Sequence, residues 1–113
     1  MTAPDAREAA VALLLDAGFT QHTAPPRRRS DPAPADGFRV FHILDSLRRP
    51  TGSVLVAWVP VGGGDHKKPG QLAESRKMAE EYAAAAADAG WAAEFEGEIW
   101  HHVRLTSAAV PGD

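Results

Sequence analysis

Leu15-Asp16-Ala17-Gly18-Phe19 and Ala87-Asp88-Ala89-Gly90-Trp91 give the same local instruction at the two ends of one chain. Each closes an alanine-rich stretch with glycine, the residue that most cheaply takes the left-handed conformation of a helix stop. The aromatic that follows folds back on the last helical turn and directs the chain outward as a strand. Two helices, each leading into extended chain, are therefore predicted. So short a match, Asp-Ala-Gly and then an aromatic, leaves two origins open: an αββ unit that occurs twice, or alanine-rich helices that simply end alike.

A chain of 113 residues supports one core, so residues 1–113 are expected to form a single domain. With 44% hydrophobic and 24% charged residues, the composition is that of a folded rather than a disordered chain. There is no cysteine, which removes disulfide frameworks and thiolate metal sites and fits a reducing compartment. The apolar run Val11 to Leu15 is too short to span a bilayer, and Asp5, Glu8 and Asp16 are the wrong flanks for a signal peptide. A cytoplasmic protein with no membrane partner is expected.

The first helix is predicted from Ala3 to Ala17, with Thr2 and Asp5 spaced as a capping box and Pro4 in the first turn. Its stripe Ala6, Ala10, Leu13, Leu14 and Ala17 recurs at helical spacing and faces a core. The second helix starts just after Pro69 and Gly70 and runs to Gly90, with Leu72, Ala79, Tyr82, Ala83 and Ala86 on one side. Branched and aromatic runs at Phe38 to Leu44 and Ser53 to Val59 read as a hairpin around Asp45 to Gly52, with turn chemistry from Pro50-Thr51-Gly52. Ala92 to Glu96 and Ile99 to Leu105 flank Gly97 as a second hairpin, and Phe19 to Thr23 offers a short extra strand. Residues 24–37 hold four prolines beside Arg27, Arg28 and Arg29 and should form a surface excursion, while 107–113 should be a flexible tail. The expected fold is α+β: a mainly antiparallel four- or five-stranded sheet with two helices on one face.

Two helices in so short a chain cover one face of such a sheet, leaving the other for water, the excursion or another molecule. Alternation in Ile99 to Leu105 puts Ile99, His101, Val103 and Leu105 on one side and Trp100, His102 and Arg104 on the other. Ser53 to Val59 is apolar on both sides. Phe41, Trp58, Trp100, His102 and Arg104 are accordingly the expected partner interface, because tryptophan brings large contact area at small entropic loss. Self-association or docking of another protein is the first expectation, and stacking of unpaired bases is an alternative use of the same face.

Charge is divided along the chain. Residues 21–77 hold ten basic against five acidic side chains, and residues 78–113 hold one against seven. Arg27, Arg28, Arg29, Arg48, Arg49, Lys67 and Lys68 would form the basic surface of a nucleic-acid binder, yet no helix-turn-helix, zinc-finger or RNA-binding motif accompanies them. Gly62-Gly63-Gly64-Asp65-His66-Lys67-Lys68 lacks Walker-loop spacing and reads as a connector. Of the five histidines, His101 and His102 are adjacent on a strand and point to opposite faces, so only His42 meeting His101 across neighbouring strands would suggest a metal. No nucleophile elbow or reactive cysteine is present, and Glu80, Glu81, Glu94, Glu96 and Glu98 fall at solvated positions. No enzyme, metal or cofactor is expected.

The helix with its Ala-Gly-Phe or Ala-Gly-Trp stop, the strands that follow, and the alanine, arginine, proline and glycine usage without any asparagine resemble small accessory proteins of high-GC actinobacteria, their phages and integrative elements. The resemblance implies a stand-alone accessory protein and carries over no site residues.

Overall fold

The computed structural model describes residues 5–23, 27–30, 33–61, 68–97 and 101–106. Its elements are α1 (Ala6–Asp16), β1 (Gly37–Leu44), β2 (Pro50–Val59), α2 (Pro69–Asp88), β3 (Ala92–Glu96) and β4 (His102–Thr106), the αββαββ order expected. The four strands form one antiparallel sheet in the order β1-β2-β4-β3. The second strands of the two hairpins thus meet in the middle and the first strands form the edges, a layout with approximate two-fold symmetry.

Both helix stops work by the same hydrogen bonds. After α1, Gly18 N–H donates to Leu15 O and Phe19 N–H to Leu14 O, each at 3.0 Å. After α2, Gly90 N–H donates to Ala87 O at 3.0 Å and Trp91 N–H to Ala86 O at 2.9 Å. Gly18 and Gly90 take φ of 93° and 91°, the left-handed conformation such a stop requires. At its other end α1 begins later than the spacing predicted. Asp5 is itself the N-cap, accepting Glu8 N–H at 2.7 Å, so Ala6 is the first helical residue. Thr2 lies outside the described residues.

The first hairpin and the segment after α1 also differ from expectation. The first turn spans Asp45 to Arg49, with Asp45 Oδ1 accepting the N–H of Leu47 and of Arg49 at 2.8 and 2.9 Å and Arg48 at φ 60°. Pro50, Thr51 and Gly52 therefore open β2 rather than make the turn. The excursion after α1 is tied at its base by Thr23 and Ala35, which exchange hydrogen bonds at 3.0 and 3.1 Å. In place of a fifth strand, the segment before it makes an isolated parallel bridge, Gln21 to Phe38. The 107–113 tail lies outside the described residues.

Both helices pack on one face. α1 lies on β1 and β2, α2 crosses β2, β4 and β3, and the helices touch each other. Beneath them Phe38, Val40, Val54, Val56, Trp58, Val103 and Leu105 are buried with Ala10, Leu14, Tyr82, Ala83 and Ala86. The small alanines of α2 allow the helix close to the sheet, and buried Ser75 keeps its hydroxyl satisfied on Leu72 O at 2.7 Å.

Candidate interaction face

The strand registers fix which side chains share the face without helices. One cross-strand row runs Arg39, Ala57, His102, Glu96, and the next runs Phe41, Leu55, Arg104, Glu94. A third holds Ser53, Thr106 and Ala92, with the Ser53 and Thr106 hydroxyls bonded at 2.8 Å. An apolar strip of Phe41 on β1 with Leu55 and Ala57 on β2 is thus flanked by Arg39 at the β1 edge and, across His102 and Arg104 on β4, by Glu94 and Glu96 at the β3 edge. Phe41 is 41% exposed, and the Arg39 guanidinium sits 4.9 Å from its ring centroid, a cation–π contact that holds both side chains over the sheet. Arg104 is drawn to the acidic edge: its Nε lies 2.8 Å from Glu96 Oε2, both atoms shielded from water, and its Nη2 donates to Oε1 at 3.2 Å.

Of the five residues expected to form an interface, Phe41, His102 and Arg104 do share this face. Trp58 does not. It lies opposite Phe38 in the register, is 8% exposed and belongs to the core under the helices. Alternation in β2 offered two apolar sides; the fully buried Phe38 in the neighbouring strand decides between them, and it turns Trp58 inward. Trp100 lies outside the described residues, as do Ile99 and Glu98. Arg39, which the sequence already sets beside this face, shares it with Leu55, Ala57, Glu94 and Glu96, and these four are placed there by the strand registers.

The outer edge of β1 is covered by the chain itself. Phe38 N–H donates to Thr20 O at 3.0 Å and Phe38 O accepts His22 N–H at 2.9 Å. Two residues on, Val40 O accepts Arg7 Nε at 3.0 Å, and the next outward residue, His42, brings Nε2 to 3.7 Å from Asp5 Oδ2. These groups line an open groove of about 560 Å³ along the edge. Blunting an edge strand in this way stops it from recruiting another strand.

Among the described residues the basic clusters lie on separate parts of the fold. Arg48 and Arg49 lie exposed at the β1–β2 turn, where Arg49 pairs with Asp45 at 3.0 Å. Arg27, Arg28 and Arg29 are exposed on the excursion whose base joins the opposite end of β1, and Lys68 is the exposed N-cap of α2, beyond the far end of β2. The eight residues of β1, about 26 Å at the usual rise per residue, separate the two attachment points. Lys67 and the glycines before it lie outside the described residues. His42 and His101 do not meet either: β2 separates β1 from β4, and His101 instead borders a hollow with Arg76, Glu80 and Phe95. Among the described residues no helix is long and apolar enough to cross a membrane.

No protein-family model matches this chain, and no curated protein or solved structure matches it.

Proposed function

We propose that this chain is a non-catalytic binding protein that pairs with a second copy of itself through the open face of its sheet. One observation carries the reading: the face is cationic at one edge strand and anionic at the other, with the apolar Leu55 and Ala57 between them. Sheets that pack face to face keep their strands within about 30° of alignment. With the two-fold axis parallel to the strands, β1 of one copy lies over β3 of the other. Arg39 then meets Glu94 and Glu96 of the second copy on both sides of the axis, and between them Leu55 and Ala57 on β2 lie over Arg104 and His102 on β4 of the second copy. An axis across the strands would instead set like charges over one another. The self-complementary arrangement is the isologous contact that closed dimers use, and charged groups so placed fix register and exclude wrong partners. Glu94 and Glu96 disfavour polyanions on this face, so base stacking there is the weaker reading.

The test is mass in solution by sedimentation velocity. The wild type is expected to be dimeric, and Arg39→Glu and Glu94→Lys are each expected to be monomeric, because each sets like charges across both contacts. An equimolar mixture of the two variants restores dimers, since each then supplies the charge the other lost. A monomeric wild type, or variants that stay dimeric alone, would overturn the proposal.

A further inference from the structure

A second site lies on the helix-covered side, where the end of α1, the start of β1 and one face of α2 enclose a cleft of about 510 Å³. Phe19, Trp58, Met78 and Tyr82 supply its apolar lining, and Asp36 and Glu74 its charge. No basic side chain is among its described lining residues. On α2, Glu74, Met78 and Tyr82 recur at four-residue spacing and so form one ridge.

Tyr82 is the unusual member. It is fully buried, yet its hydroxyl has no hydrogen-bond partner. Buried polar groups are nearly always paired, and one that is not calls for a missing partner. Burial first, and then the charges of Glu81 and Glu74, push the phenol pKa up, so the group stays a neutral hydroxyl that both donates and accepts. Phe19 meets the Tyr82 ring edge-on, with centroids 4.9 Å apart and planes at 82°, so two aromatic surfaces make a corner with Trp58 as a further wall. Aromatic faces and carboxylates attract the same kind of group, a cation. A phenol oxygen without a donor adds the requirement that the cation carry N–H.

We infer that this cleft binds the protonated primary amine of a small molecule, with Glu74 as its counter-ion, the Tyr82 oxygen as an acceptor for one N–H, and Phe19 and Trp58 around its carbon chain. Because the hydroxyl is closed off from water, Phe19 or Met78 shifts to admit the ligand. Phe19 is placed for this, being half-buried and directly after the glycine stop of α1.

The experiment is an NMR titration of the full chain with n-butylammonium chloride, using n-butanol as the uncharged comparator. Saturable shifts of the Trp58 indole and the Phe19 and Tyr82 rings are expected at millimolar amine, with at least tenfold weaker effects from the alcohol. Glu74→Gln should lower the affinity for the amine by roughly tenfold, the scale of a lost hydrogen bond to a charged group. Tyr82→Phe should also weaken binding while leaving the melting temperature unchanged or raised, which separates a ligand contact from a structural one. Equal responses to amine and alcohol, no saturable shift at millimolar amine, or full affinity in both variants would overturn the inference.

Discussion

Phe19, the residue after the first glycine stop, packs edge-on against Tyr82 in the middle of the second helix, with ring centroids 4.9 Å apart. Tyr82 in turn meets Phe38 of β1 at 6.1 Å and 77°. One ring of α2 is thereby held between the end of α1 and the first strand. The stop that ends α1 does more than redirect the chain: it delivers an aromatic that joins both helices to the sheet. Phe19→Leu keeps apolar bulk but loses the edge-to-face geometry, and it should lower the unfolding free energy by about 1 kcal/mol beyond any change in buried area. Urea unfolding of Phe19→Leu, Tyr82→Leu and the double variant would read that coupling directly. Additive single effects would show that the ring contact contributes nothing of its own.

Glycines in this chain are required for two different reasons, and substitution separates them. A Cβ at Gly18 or Gly90 meets nothing within 4 Å, so alanine there suffers only from the left-handed backbone, about 1 kcal/mol each. At Gly37 a Cβ would collide with the Thr20 carbonyl and the backbone of Gln21 and His22. Gly37→Ala must push the segment after α1 away from β1 and break the hydrogen bonds at Phe38. It should lower stability by about 3 kcal/mol, more than Gly18→Ala and Gly90→Ala together. Thermal melts of the three variants test the order, and a mild Gly37→Ala would contradict the close approach of these two segments.

The order of elements was legible because its signals are local. Two glycine stops, alternation in β4 and the apolar stripe of α1 each depend on neighbours a few residues away. The orientation of β2 was not legible, because Leu55, Ala57 and Val59 are as apolar as Val54, Val56 and Trp58. Only Phe38 and Val40 across the ladder decide it, and that pairing is a long-range fact. The hairpin turn was misplaced for a related reason: Pro50-Thr51-Gly52 has turn composition, but Asp45 accepts two backbone N–H groups and closes the turn earlier. Period-two alternation in the sequence places His102 and Arg104 on one side, whereas the run of charge from Arg39 to Glu94 needs the strand order β1-β2-β4-β3. Tyr82 read as a core residue from its helical spacing, and nothing in the spacing marks a hydroxyl without a partner.

Asp45 gives the first hairpin a dependence on acid. The backbone N–H of Arg49 is the largest influence holding its carboxyl below the ordinary value of 3.8; desolvation opposes it, and the Leu47 N–H and the Arg49 side chain add to the lowering. A carboxylate with a lowered folded pKa contributes stability that is fully present above the unfolded value and is lost as pH falls through the folded one. Asp45→Asn should therefore be less stable than the wild type at neutral pH, and the gap should close on acidification below about pH 3.8. Urea midpoints for the two proteins from pH 7 downward provide the measurement. A gap that persists at the acid end would mean that the amide fails for reasons of shape rather than charge.

Arg7 bears on a different surface of the sheet, the outer edge of β1. β1 is an edge strand, and its outward groups at Phe38 are occupied by Thr20 and His22, whereas at Val40 the carbonyl is met by the Arg7 side chain. Arg7→Met keeps an unbranched stem on α1 and removes the donor, so Val40 O turns to water or to another strand. The loss to stability should be small, about 1 kcal/mol, the usual contribution of one hydrogen bond. The larger consequence is kinetic and intermolecular, because an uncovered edge is a template for further pairing. Arg7→Met should form large species that grow with concentration and bind thioflavin, under conditions where the wild type forms none. Combining it with Arg39→Glu distinguishes the two surfaces: growth through the edge continues when the face is blocked, whereas growth that disappears in the double variant would place both contacts on the face and refute the protective role of Arg7.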